Sequence, residues 1–244
     1  MIVSVIKCGL GNQMFQYATG YALAKRAKLP FRLDTSGYER SPRDGRSLLL
    51  RAFGIETQEA VCCPPQVREI LNPVYQPLEP IPSTLVGYWQ SERYFLDARE
   101  DLLRIFDRPG IACSADVAIH VRKGDAGHRR RSGDIANAGY YDKAIESFRR
   151  GLPGATFAAW TDNADYARHL LPEDVTIQPT EHPVEDLIAM SRCPHQIIAN
   201  SSFSWWAAWL NQNPDKRIIW PAMLTRDIPP VAETDYIPDS WKQP

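Results

Sequence analysis

The residues of this 244-residue chain that could do chemistry collect where apolar runs end. Near the middle, Val117-Ala118-Ile119-His120-Val121-Arg122-Lys123-Gly124-Asp125 alternates large apolar with smaller or polar residues and then turns abruptly charged. That is the pattern of a strand delivering charge to its carboxyl edge. In open α/β sheets ligands bind at this edge, and Arg122 with Lys123 sets two cations where a diphosphate could sit; the other reading is a strand running into a solvated charged turn. A second cluster, Asn200-Ser201-Ser202-Phe203-Ser204, follows the apolar run Ile197-Ile198-Ala199. Small hydroxyl residues and unsatisfied backbone N–H groups at a helix start make an anion site, and simple N-capping accounts for one of these serines but not for three.

A third cluster, Cys8-Gly9-Leu10-Gly11-Asn12-Gln13, follows the run Ile2 to Ile6. Gly9 and Gly11 would let backbone approach a ligand, with Asn12 and Gln13 offering amide donors at a helix N-terminus. The third glycine of the dinucleotide fingerprint and the Lys-Ser/Thr of a P-loop are both missing, which disfavours a dehydrogenase or a P-loop kinase and leaves a plain strand-to-helix turn as the other reading. Asp186, on a helix that precedes the serine cluster, could accept two N–H bonds from the Watson-Crick face of guanine; as a bland alternative it is an acid favoured at a helix start. Asp162 and Asn163 close another strand, where they could meet a ribose or a sugar hydroxyl. Trp205, Trp206 and Trp209 read as core packing rather than a sugar platform. No His/Cys/Asp/Glu group has metal-ligand spacing, so the expectation is an activity with no metal and no cofactor.

The elements that must position these residues alternate in kind. Strands are expected over Ile2 to Ile6, Phe31 to Leu33, Thr84 to Gln90, Val117 to Val121, Phe157 to Trp160, Val175 to Ile177, Gln196 to Ala199 and Arg217 to Trp220. Helices are expected over Met14 to Ala27, Ser91 to about Ile105, Tyr140 to Arg150, Ala164 to Leu171, Val184 to Ser191 and Trp205 to Asn211. Ser36 to Arg46 and Ala126 to Ala138 read as loops, and the prolines from Pro64 to Pro82 argue against long regular elements there. The alternation specifies α/β architecture: parallel sheets with helices on both faces. Arg108-Pro109-Gly110 is the expected boundary, giving domains 1-108 and 109-244.

Lys and Arg number 28 against 29 Asp and Glu, a formal net charge of -1, so no global basic field argues for nucleic acid. The dense basic run His128-Arg129-Arg130-Arg131 reads as a solvated loop, with contact to a phosphate or an anionic membrane surface as the alternative. Five cysteines, Cys8, Cys62, Cys63, Cys113 and Cys193, are odd in number, and two of them are adjacent. The expectation is reduced thiols in a cytoplasmic protein, soluble or peripheral at the inner face of the membrane, with no membrane span.

Four segments in order, Gly9 to Ala18, Gly87 to Phe95 (GYWQSERYF), His120 to Asp125 (HVRKGD) and Ile197 to Leu210 (IIANSSFSWWAAWL), resemble bacterial α-1,2-fucosyltransferases of glycosyltransferase family 11. The resemblance implies two Rossmann-like domains of the GT-B type, the first on the acceptor side and the second binding a GDP-sugar. It also implies a GDP-β-L-fucose donor, inversion at the anomeric carbon, a glycan or lipid-linked galactoside acceptor, and a place in bacterial surface polysaccharide synthesis. In that family an HxRRxD segment engages the donor. Here His120, Arg122 and Asp125 match it while Lys123 replaces the second arginine, which keeps the charge and loses the planar fork. Taken with the reading of the residues above, the candidates are Arg122, Asp125 and Asn12 for catalysis; Gly9, Gly11, Gln13, His120, Lys123, Asp162, Asp186, Asn200, Ser201, Ser202 and Ser204 for the donor; and Gln90, Glu92 and Tyr94 for the acceptor. Asp125 is the favoured general base, with Glu92 and Asp34 as alternatives, or it only orients Arg122. A transferase using another GDP-6-deoxyhexose and a non-catalytic nucleotide-binding module remain as other readings.

Overall fold

The computed structural model describes residues 1–40, 47–57, 64–70, 73–113, 115–124, 139–180, 182–222 and 234–241. Asp125, the loop expected over Ala126 to Ala138 with its basic run, and Cys62 and Cys63 lie outside the described residues. The chain forms two compact units, Met1–Asp107 together with Thr234–Pro244, and Arg108–Glu233. The end of the chain therefore groups with the first unit, which corrects a second domain running to 244. The reason is local: Tyr236, Ile237 and Trp241 are buried, Tyr236 lies 6.5 Å from the Phe15 ring, and Asp235 accepts the Tyr75 N–H at 2.7 Å and pairs with Arg93 at 2.7 Å.

In the first unit β1 (Ile2–Val5), β2 (Phe31–Asp34), β3 (Gln66–Arg68) and β4 (Ser83–Val86) form one parallel sheet in the order β2-β1-β4-β3. Helix α1 (Leu10–Ala27) packs on it with Met14, Phe15, Ala18, Ala22 and Leu23 buried. It begins at Leu10, earlier than the expected Met14, so Gly11, Asn12 and Gln13 belong to its first turn. Helix α2 (Ser36–Arg40) stands where a loop was expected, its start fastened by the Asp34 carboxylate accepting the Ser36 N–H at 3.1 Å. β3 sits in the proline-rich stretch and was not anticipated, while 3-10 turns over Glu92–Tyr94 and Leu96–Ala98 precede α3 (Arg99–Ile105).

The second unit holds β5 (Val117–Val121), β6 (Phe157–Thr161), β7 (Thr176–Ile177), β8 (His195–Ile197) and β9 (Ile218–Ile219), all parallel, in the order β7-β6-β5-β8-β9. Every residue of β5 is buried, as a strand covered on both faces requires. On one face Val117, Ile119 and Val121 meet Tyr141, Ala144, Ile145 and Phe148 of α4 (Tyr140–Gly151) and Ala167 of α5 (Ala164–Leu170). On the other, His120 meets Phe203 of α7 (Ser202–Leu210), which packs against α6 (Pro183–Arg192). The expected α/β architecture with helices on both faces is therefore present here. Helix α7 is buried from Ser204 to Leu210, with Trp205, Trp206 and Trp209 in mutual contact, so the tryptophans are core.

Cys113 and Cys193 are joined in a disulfide with Cα atoms 5.3 Å apart, which overturns the expectation of reduced thiols for this pair. Spacing along the chain could not show it, because the sheet makes the pairing: Cys113 precedes β5, Cys193 precedes β8, and these strands are neighbours with Val117 opposite His195. Cysteine usage therefore no longer argues for a cytoplasmic location. Among the described residues, no helix is long and apolar enough to cross a membrane.

Candidate active site

The order β7-β6-β5-β8-β9 reverses direction between β5 and β8, because successive strands step outward on either side of that line. A crevice at the carboxyl end of the strands opens at such a switch point. Ile119 stands opposite Ile197, so Arg122 and Asn200 each follow the carboxyl end of one of these two neighbouring strands. The contact between the His120 and Phe203 rings, centroids 5.2 Å apart, confirms that the β5 end and the start of α7 share this edge. Arg122 and the Ser201 turn, far apart in sequence, thus follow neighbouring strands of one sheet.

Asp162, at the end of β6, organises the β5 terminus. Its carboxylate accepts the backbone N–H of Lys123 at 2.8 Å and of Gly124 at 2.9 Å, and pairs with the Arg122 guanidinium at 2.8 Å. These three bonds make Asp162 a clamp on the loop rather than the sugar ligand first suggested, and they hold Arg122 in one geometry. The Lys123 ammonium lies over the Tyr166 ring, 5.5 Å from its centroid, on α5. Asn163 N-caps α5, accepting the Tyr166 N–H at 2.8 Å.

His120 is fully enclosed. Burial first, and the Arg122 charge next, lower its pKa to about 3, so the ring is neutral at physiological pH and is no proton donor or diphosphate cation. Its Nδ1 has no hydrogen-bond partner among the described residues. At the start of α7 the Ser201 side chain accepts the Phe203 N–H at 3.3 Å, the capping role open to one serine. Ser204 is buried and its hydroxyl donates to the Ala199 and Ser201 carbonyls at 3.5 and 3.3 Å, which removes it from the ligand set. Asn200 and Ser202 remain half-buried at the helix N-terminus, where dipole and N–H groups favour an anion. Asp186 is buried in the first turn of α6.

The first unit has its own switch point, between β1 and β4. Asn12 and Gln90 meet here, the Gln90 amide donating to Asn12 Oδ1 at 2.7 Å. The expected turn geometry is corrected: Gly9 has φ -76° and needs no glycine freedom, while Cys8 carries the left-handed conformation at φ 67°. Gln13 is buried and spent on the fold, donating to the Cys8 and Ser47 carbonyls at 2.9 and 3.0 Å and accepting the Leu49 N–H at 2.9 Å. Gly11 is buried within α1. Tyr94 is core as well: its hydroxyl accepts the Gln76 N–H at 2.9 Å, its ring meets Trp89 at 5.4 Å, and burial raises its pKa to about 12. Glu92, half-buried, lies close enough to Arg99 to act on its charge.

Sequence reasoning missed Glu69, Lys7 and Tyr88. Glu69 accepts the N–H groups of Tyr88 and Trp89 at 2.6 and 2.9 Å, and the Lys7 ammonium stands 4.5 Å over the Tyr88 ring. Glu69 follows a three-residue strand among prolines, where no periodic pattern points to it. Among the described residues no group of three His, Cys, Asp or Glu side chains could hold a metal ion.

The geometry can be set beside known proteins. The chain is 28% identical to an alpha-1,2-colitosyltransferase of Escherichia coli over an alignment of 253 positions, gaps included, covering 86% of this chain and 87% of that one. An O-antigen biosynthesis glycosyltransferase WbnK of Escherichia coli is 25% identical over 89% and 93% of the two chains. A galactoside 2-alpha-L-fucosyltransferase Sec1 of Mus musculus is 26% identical, over 84% of this chain and 63% of its own length. Among solved structures, NodZ alpha-1,6-fucosyltransferase soaked with GDP-fucose aligns at a TM-score of 0.43 and 13% identity over 86% and 91% of the chains, too distant to bear on residues or activity. The glycosyl transferase family 11 model matches residues 80–236, well over half of the chain and spanning both the Gly87 to Phe95 segment and the β5 and α7 edge. The chain is an enzyme of glycosyltransferase family 11.

Proposed function

We propose that this enzyme transfers L-fucose from GDP-β-L-fucose to the 2-hydroxyl of a galactoside with inversion, in the making of a bacterial surface polysaccharide. The observation that carries the reading is the contact of His120, two residues before Arg122, with Phe203 at the start of α7, at the β5/β8 switch point. A cation held by a carboxylate, beside a helix N-terminus, suits the diphosphate of a leaving nucleotide. Names of relatives supply the sugar and linkage: colitosyl and fucosyl transfer, both α-1,2.

Inverting transfer is a single displacement. The acceptor oxygen attacks the anomeric carbon, the bond from that carbon to the β-phosphate oxygen breaks, and GDP leaves with the electron pair. Arg122 and the α7 N-terminus meet the charge that develops on the leaving oxygen, without reorganising as it forms. The acceptor proton needs a base. Asp125 keeps the role by its place in the HxRRxD-like segment; Asp34 is the weaker alternative, since its carboxylate already fastens the start of α2. We further propose that the acceptor is bound by the first unit, that no metal is needed and that the protein works at the cytoplasmic face.

The test is GDP release from GDP-fucose against a panel of β-galactosides, with product linkage determined and one arm in chelator. Formation of an α-1,2 product, unaffected by chelator, is expected; no transfer to any galactoside contradicts the reading. A second donor deserves a place, because the first relative named transfers colitose. Colitose differs from fucose by lacking the hydroxyl at C3, and faster turnover of GDP-colitose than of GDP-fucose would reassign the donor.

A further inference from the structure

At the carboxyl edge of the first unit's sheet, the turn after β4 is built around Trp89 and a carboxylate that no motif marks, Glu69. Trp89 sits at φ 56°, a left-handed conformation that a bulky side chain adopts only when its surroundings hold it there. Both backbone N–H groups of the turn, from Tyr88 and Trp89, point at the Glu69 carboxylate, one on each oxygen, at 2.6 and 2.9 Å. Donors on both oxygens favour the ionised carboxylate, which accepts at each of them. Burial raises the pKa of Glu69, and the two N–H bonds and the Lys7 charge act against it. Gly87 leaves room for the arrangement, since a Cβ there would stand 2.5 Å from Glu69 Cβ.

The turn so held presents particular groups. Trp89 is buried, with its ring against Tyr94, and anchors the turn inward. Its neighbours Tyr88 and Gln90 are half-buried at the edge, where Tyr88 lies under the Lys7 ammonium with its hydroxyl 3.7 Å from Cys8 Sγ, and Gln90 bonds Asn12. Lys7 and Glu69 offset each other here, and the groups named beside them are phenol, amide and thiol. Such a surface suits the hydroxyls and flat face of a neutral sugar better than a phosphate.

We propose that Glu69 is the positioning residue of the acceptor face: by gripping the Tyr88 and Trp89 N–H groups it sets the Tyr88–Gln90 turn against which a neutral glycan is held. The inference rests on the reading of the first unit as the acceptor side.

The experiment compares wild type with Glu69→Gln, which keeps the size but offers one acceptor oxygen and turns an amide N–H toward a backbone N–H, and with Glu69→Asp, which keeps both oxygens one methylene back. KM is measured for acceptor and for GDP-fucose, GDP affinity by calorimetry, and exchange of the Tyr88 and Trp89 amide protons by NMR. The expected result for Glu69→Gln is an acceptor KM raised about tenfold or more, with Glu69→Asp in between. Donor KM and GDP affinity stay within about twofold, and the two amides exchange faster. A rise of both KM values together with lost GDP affinity, or an unchanged acceptor KM, overturns the role of Glu69 while leaving the transferase reading intact. A wild type that transfers to no acceptor removes the acceptor reading and this inference with it.

Discussion

The two sheets meet the same topological problem with opposite chemistry. Each is parallel, and each reverses strand order next to its first strand, between β1 and β4 in one unit and between β5 and β8 in the other. At the second edge a carboxylate, Asp162, holds a cation and its loop beside a helix N-terminus, which leaves the edge suited to an anion. At the first edge a carboxylate, Glu69, holds a backbone turn flanked by phenol and amide groups, with Lys7 offsetting its charge. In both the acid works on the loop; what the loop then carries decides the ligand.

The largest expected effect that would break this contrast is on turnover. Arg122→Ala should lower kcat about 10²- to 10³-fold, as loss of a donor aimed at developing charge does, with acceptor KM and circular dichroism unchanged. Near-normal kcat in the folded variant would take Arg122 out of the site. Next comes stability: Cys113→Ser should cost about 2–4 kcal/mol in urea unfolding, because the disulfide closes a long loop. GDP affinity should hold, since both cysteines precede their strands and the site follows them. Asp162→Asn should raise the donor KM about tenfold, the ion pair being partly exposed and so discounted for screening, and should leave acceptor KM alone. An equal rise in acceptor KM would show that the two edges are not separable.

The last effect, small within any one pH unit, sharpens the contrast through pH. His120 is neutral in the fold down to about pH 3, while in the unfolded chain it takes up a proton below its ordinary value of 6.5. The unfolded state then binds more protons, so stability falls with falling pH between those limits, by at most about 1.4 kcal/mol per unit. Glu69 has the opposite sign: with its pKa raised by burial, the fold holds a proton that the unfolded chain has lost, and this contribution to stability grows as pH falls toward the ordinary carboxylate range. Urea unfolding of His120→Phe from pH 6.5 to 4 should show a shallower acid decline than wild type, and a parallel decline would contradict the burial of a neutral ring.

Much of the second unit was legible because local pattern and tertiary role coincide there. β5 alternates and ends in charge, α4 carries Tyr141, Ala144, Ile145 and Phe148 at helical spacing, and the structure uses both accordingly. The first unit was less so. β3 is three residues long among prolines, α2 is fastened by a single aspartate, and the segment closing the unit lies over a hundred residues away in sequence. Site residues divided the same way. Arg122, Asn200 and Ser201 sit at the expected edge, but Gln13, Ser204 and Tyr94 are polar groups of the right type spent on backbone partners. Residue type shows what a side chain can bond, and only the packing shows which partner has taken it. Glu69 and the Cys113–Cys193 bond escaped for a related reason, since both depend on which strands become neighbours.

The most direct test of the account is where GDP lands. Amide hydrogen exchange with and without GDP should show new protection at Arg122 to Gly124 and at Asn200 to Phe203, with Lys7 to Asn12 and Tyr88 to Gln90 unchanged. Protection confined to the first unit's edge, or absent from both, would contradict the assignment of the nucleotide to the β5/β8 switch point.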